Sequence, residues 1–271
     1  MCKKKLSCLV VLVLVAVLTG NVFGTTFIWQ GASSNLWLAN ALTNWAQGGL
    51  YPSSTDDVKI THKPTTPRMP TIATGNAYAA TLYVGVDWAS PSQSAILTVN
   101  SGTLTVSTAI QVGYTTTTVG VTDVLNMNGG TITAPFINVG HLGKGVLNMN
   151  GGTINLTGQL KAPSQTGSGT VNLAGGTINA AGLYLQSTGY MDITGGTLVL
   201  DSDTVNISDV DWTIQDFVHY GWLEAYAGTG QVVIDYAMNP GKTTVYGVVP
   251  EPATMAMLSI GGILAIRRRT R

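Results

Sequence analysis

The chain has 271 residues, of which only 10% are charged and 45% are hydrophobic, with 33 glycines. That composition disfavours helix, favours short strands joined by turns, and is too apolar for a disordered chain. The formal net charge is zero. It is unevenly placed, because residues 25–250 hold six basic and twelve acidic residues, a net of −6, which argues against nucleic acid or an anionic membrane as partner.

The N-terminus opens with Lys3, Lys4 and Lys5, then an apolar run from Leu9 to Leu18, then small residues with Val22 and Gly24 at peptidase spacing. This predicts a secretory signal peptide over 1–24, cut after Gly24. The alternative, an uncleaved anchor, would have a short hydrophobic run for a span. Cys8 precedes the apolar run, which argues against a lipoprotein. Cys2 and Cys8 are the only cysteines, so the mature chain would have no disulfide and must be held by packing and backbone hydrogen bonds.

Residues 25–75 are expected to form an N-terminal cap and a Pro-rich loop. Trp29, Trp37, Asn44-Trp45, Pro52 and Asp56-Asp57-Val58 form a spaced set. They suit a segment that covers the open apolar end and strand edges of a stacked β structure. The pattern is similar to the opening module of bacterial surface β-helix proteins. The competing reading makes Trp29, Trp37 and Trp45 a carbohydrate-stacking platform. Pro64, Pro67 and Pro70 then predict a surface loop.

From 76 to 203 the chain repeats itself. LNMNGGTI occurs at 125–132 and again at 147–154, and related segments begin at Leu97, Val171 and Met191. The second residues of the corner pairs are Gly102, Gly130, Gly152, Gly176 and Gly196, spaced by 20 to 28 residues. Such a period signals a solenoid. Within each unit the period is two: Leu125 and Met127 face one way, Asn126 and Asn128 the other. One unit cannot bury its apolar face alone, so units must stack. The expected fold is all-β, a right-handed parallel β-helix of five to six coils with N- and C-terminal caps. Leu125, Leu147 and Val171 should share an interior column, and Asn126, Asn148 and Asn172 an outer hydrogen-bonded ladder. The glycines supply positive φ or close backbone approach at a corner. The repeat resembles those of autotransporter passengers and other secreted bacterial β-helices.

Residues 204–248 lose the Gly-Gly rhythm and read as a C-terminal cap, with a short helix or turn near Val210–His219. Asp201, Asp203, Asp209, Asp211 and Asp216 cluster in sequence here; calcium at this corner is the alternative to a solvated turn, and Asn206 stands where an EF-hand loop needs Gly.

The last segment, 249–271, carries Pro250-Glu251-Pro252, an apolar run from Ala253 to Ile266, and Arg267, Arg268, Arg269 and Arg271. The run predicts a hydrophobic helix short for a permanent span, with the arginines holding it on the cytoplasmic side. The three parts in this order resemble the bacterial PEP-CTERM sorting signal. The resemblance implies an exosortase-type membrane protease as partner, transient residence in the inner membrane, and a Gram-negative host that makes exopolysaccharide.

No catalytic site is expected, and no cofactor or metal. There is no Gly-x-Ser-x-Gly elbow. His62, His141 and His219 lack metal spacing. A lyase of the β-helix type needs a basic residue beside carboxylates, and the one arginine of the exported domain, Arg68, lies in the Pro-rich stretch. A glycosidase needs paired carboxylates, and residues 94–189 contain one acid, Asp123. The expected function is therefore a non-enzymatic surface or matrix protein associated with exopolysaccharide. The alternative is a carbohydrate-binding or adhesin module using the cap tryptophans.

Overall fold

The computed structural model describes residues 24–61, 68–86, 93–115, 121–207 and 209–249. They form a parallel β-solenoid of about five turns. Three sheets run along its length. Sheet 1 stacks Thr71–Ile72, Ile96–Val99, Asp123–Met127, Lys144–Met149, Ser168–Leu173, Gly189–Ile193 and Leu223–Ala225. Sheet 2 stacks Thr131–Ala134, Thr153–Leu156, Thr177–Ala180 and Thr197–Leu200 upon the first halves of two long strands, Asn76–Val86 and Thr103–Val112. The second halves of those strands continue into sheet 3, with Asp57–Thr61 on one side and Phe136–Val139, Gln159–Ala162 and Gly182–Leu185 on the other.

Register follows the repeat. Leu97, Leu125, Leu147, Val171, Met191 and Leu223 align rung by rung in sheet 1. Leu104, Ile132, Ile154, Ile178 and Leu198 align in sheet 2, and Leu82, Ile110, Ile137, Leu160 and Leu183 in sheet 3. All are buried. Three inward columns meeting at the axis are how a period-two sequence builds a core without helices.

The corner between sheets 1 and 2 explains the repeated Gly-Gly. Gly152 has φ +80°, and a Cβ there would lie 2.6 Å from the carbonyl oxygen of Gly130 on the neighbouring rung. Gly130 is placed the same way, 2.4 Å from the oxygen of Gly102. Positive φ and close approach therefore act together at the second glycine. Gly196 has no positive φ; a Cβ there would instead strike Leu173.

Outward amides bond along the stack. Asn172 donates to Asn148 (2.8 Å) and Asn148 to Asn126 (2.9 Å), as the sequence pattern predicts. A second ladder runs from Asn150 through Asn128 to Asn100, at 2.9 Å per step. Sheet 2 adds Asn179 to Asn155, and sheet 3 adds Asn138 to Gln111.

The two ends close differently. At the N-terminal end, Thr26–Ile28 pairs in parallel with Asp57–Thr61, which stacks on Asn76–Val86. The segment is thus a partial first coil as well as a cover. Asp56 fastens it: Thr25 donates through N and Oγ1 to one carboxylate oxygen (2.7 and 2.8 Å), and Ser53 through N and Oγ to the other (2.9 and 2.5 Å). Burial alone would raise the Asp56 pKa, but these hydrogen bonds outweigh it and hold it at about 2. At the C-terminal end, Thr243–Val248 pairs antiparallel with Thr197–Leu200 and with Gln231–Asp235. A hairpin, Thr204–Ile207 with Val210–Thr213, leads into a short helix, Ile214–His219. Thr213 and Asp216 form its capping box, and Ile214 and Phe217, three residues apart, bury one face.

Candidate functional site

The sequence singled out three places: the cap tryptophans, the acidic C-terminal corner and the Pro-Glu-Pro tail. Trp29, Trp37 and Trp45 are only 1–2% exposed. Trp45 makes edge contacts with Trp29 (4.9 Å between centroids) and Trp37 (4.8 Å). Their indole N–H groups turn inward too, Trp29 donating to the Arg68 carbonyl and Trp45 to that of Trp37. A sugar needs an open ring face, so the carbohydrate platform is corrected to a core cluster. The physical reason is the apolar end of the first coil, which these rings fill.

The acidic corner does not converge. Asp201 pairs with Lys242. Asp203 accepts from Tyr236 (3.0 Å), Asp211 from Asn206 (2.9 Å), and Asp216 from Thr213. The Thr213 hydrogen bonds keep the Asp216 carboxyl below its usual range. Among the described residues no three His, Cys, Asp or Glu side chains are grouped to hold a metal ion.

Asp123, the one acid of residues 94–189, is fully buried and so is not on the solenoid surface. Its Oδ1 accepts from the Ala95 amide (2.9 Å), and Gly85, with φ +90°, leaves the room its carboxylate occupies. The residue closes two rungs together.

One carboxylate pair escaped the sequence reading. Asp192 and Glu224 face each other on adjacent rungs of the outer side of sheet 1, continuing the row of Asn126, Asn148 and Asn172. Asp192 accepts from the Ala227 amide (3.0 Å), and Glu224 from the Tyr190 hydroxyl (3.0 Å). Burial, then the hydrogen bond to Glu224 and the nearby carboxylates, push Tyr190 up to about 12. Beside them Trp212, Tyr220 and Trp222 lie in mutual contact, with centroids 5.2–5.3 Å apart. The signal that could have found the pair is register: the 204–222 insertion must be skipped before Glu224 falls on the Asp192 column.

Gly24 begins the described structure, and Val248 ends the last strand. Pro250, Glu251, Pro252, Arg267, Arg268 and Arg269 lie outside the described residues, as do most of the predicted signal peptide and the C-terminal hydrophobic helix. Among the described residues no helix is long and apolar enough to cross a membrane.

The fold and the terminal segment together define a class: a β-solenoid carrying a C-terminal sorting signal. Residues 248–269 match the PEP-CTERM protein-sorting motif. That signal marks a protein for export and for sorting to the envelope or surface, and it is the substrate signal of exosortase, a membrane protease. No curated protein and no solved structure matches the chain.

Proposed function

We propose that the chain is a non-enzymatic structural protein of the cell surface or exopolysaccharide matrix of a Gram-negative bacterium. Its signal peptide is removed after Gly24, and exosortase processes its tail at Pro250-Glu251-Pro252. The observation that carries this reading is the sorting motif at 248–269, which begins where the last strand of a self-contained solenoid ends. The two prolines of the motif favour an extended backbone, because neither can donate to a sheet and each disfavours helix before it. An extended backbone is what a protease binds.

The lack of catalysis is supported by the commitments of the carboxylates. Asp123 is internal, and each acid of the C-terminal corner named above except Asp209 has its own hydrogen-bonding or ion-pair partner. A glycosidase is the second reading, favoured by Asp192 and Glu224 on adjacent rungs. Against it, both lie on one flat face, and both are engaged in holding the loop and strand that follow.

The test is Glu251→Ala in a host with an exosortase, with the C-terminus read by mass spectrometry and the location by fractionation. The variant should accumulate unprocessed in the inner membrane. Processing and delivery like the wild type would refute the sorting reading. Release of reducing ends from a polysaccharide, lost in both Asp192→Asn and Glu224→Gln, would favour the enzyme.

A further inference from the structure

We infer that the outer face of sheet 3 is a binding strip for an anionic polysaccharide, a polyuronate chain lying along the solenoid axis across Tyr83, Tyr114, His141, Phe136, Lys161 and Tyr184. The inference takes its setting from the exported surface role proposed above, but its chemistry comes from this face alone.

Charge singles out the strip. The domain is acidic overall, yet Lys59 and Lys161 both stand on this face, and Lys144, exposed at the start of a sheet 1 strand, packs its backbone against Gly113 beside Tyr114 at the corner where sheet 3 ends. Among the described residues the one ion pair is Lys242 with Asp201, at the far end of the molecule. The sheet 3 ammonium groups are held by rings instead. The Lys161 Nζ lies 5.5 Å from the Phe136 ring centre and 5.6 Å from that of Tyr184, and Lys59 lies 6.0 Å from Tyr83. Such contacts fix a cation without neutralising it. Among the described residues one carboxylate, Asp57, shares the face, on the strand at its N-terminal end beside Tyr83.

The rings are also a platform. Tyr83 meets Tyr114 edge-on at 4.6 Å, and Tyr114 stacks on His141 at 5.3 Å with the planes 2° apart. The His141 Nδ1 is bonded to Ser164 Oγ (2.8 Å), and burial keeps the imidazole below its usual pKa, hence uncharged at neutral pH. Between the aromatic ends Asn138 donates to Gln111 (3.0 Å), leaving the other edges of both amides for sugar hydroxyls. Rungs advance by about 4.8 Å, close to the advance of one pyranose ring along an extended chain. One sugar per rung would set pyranose C–H groups against the outer edges of these rings and carboxylates toward the lysines. The other tyrosine- and tryptophan-bearing face, around Trp222, carries Asp192 and Glu224 and would repel the same polymer.

The test is affinity electrophoresis of the full chain, solubilised in detergent, through gels containing alginate or neutral dextran. Alginate should retard the protein and dextran should not, with retardation falling as salt rises. Lys161→Gln and Lys144→Gln should each weaken alginate binding about threefold to fivefold, the upper part of the range for a surface ion pair. Lys242→Gln should leave it unchanged. Lys144 is exposed, so its variant keeps the fold even if Lys161→Gln does not. No retardation by alginate, equal loss with Lys242→Gln, or loss with Trp222→Ala alone would each overturn the assignment. Sorting is read in fractionated cells and binding on purified protein, so the two proposals fail separately.

Discussion

Replacing Gly152 by Ala tests why the octapeptide repeats. Two costs are expected. Placing an L side chain at φ +80° costs about 1–2 kcal/mol. The new Cβ would also lie 2.6 Å from the Gly130 oxygen and 2.8 Å from the Gly129 carbonyl carbon, both main-chain atoms that cannot rotate away. Relief requires the rungs to part at the bond from the Thr153 amide to the Gly130 oxygen, now 3.0 Å. Losing it adds about 1–1.5 kcal/mol. Gly241 is the control: it has φ +79°, but nothing lies within 4 Å of its Cβ position. Gly241→Ala carries the first cost alone. The reduced freedom of the unfolded chain, about 0.4–1 kcal/mol, is common to both and cancels in the comparison. Gly152→Ala should therefore be less stable than Gly241→Ala by about 1–1.5 kcal/mol, read as a lower urea midpoint by circular dichroism. Equal midpoints would show that close approach between coils contributes nothing and that conformation alone selects glycine.

Asn148 accepts from one rung and donates to the next. Asn148→Ala should cost about 1–2 kcal/mol of unfolding free energy, more than Asn179→Ala, which breaks a single step; equal losses would mean that the second bond of Asn148 contributes nothing. The Asp56 carboxyl, depressed to about 2 from its usual 3.8, stabilises the fold fully above pH 4, and that stability is lost as pH falls from about 4 to 2. Asp56→Asn should flatten the urea midpoint over that window and lower it at pH 7; an unchanged acid limb would refute the role.

The interior columns were legible because period-two alternation survives in every unit: Leu125, Leu147 and Val171 could be aligned by eye. So was the first asparagine ladder, since Asn126 recurs as Asn148 and Asn172. The second ladder was present in the same letters, as Asn128 and Asn150, and alternation turns these outward, but facing alone does not say that a side chain beside the corner bonds to the next rung. The N-terminal rungs were hidden because Thr26–Ile28 and Asp57–Thr61 lack the Gly-Gly corner and stack through strand pairing alone. The burial of Asp123 was not legible, because polarity suggests exposure, whereas the space that admits it is made by Gly85, a residue of a different coil. The Asp192–Glu224 pair needed the register across a hairpin and a helix, which no local pattern encodes.

The two ends of the fold connect this architecture to sorting. An exported chain without cysteines in its solenoid depends on stacked hydrogen bonds, and a stack unravels from its ends. At the N-terminal end, Thr25 N already sits 2.7 Å from the Asp56 carboxylate. Cleavage after Gly24 would turn that amide into an ammonium group facing a carboxylate, converting a hydrogen bond with one charged partner into an ion pair. Signal removal would then strengthen the first rung. At the other end Thr243–Val248 reverses direction against Thr197–Leu200, so the parallel stack of sheet 2 stops at an antiparallel hairpin. Val249 is already exposed, and the sorting match starts at 248. Every described strand of the solenoid thus precedes Pro250, and cutting the tail there removes no described rung, column or ladder step. The processing proposed at both ends is compatible with, and at the first end favourable to, the fold.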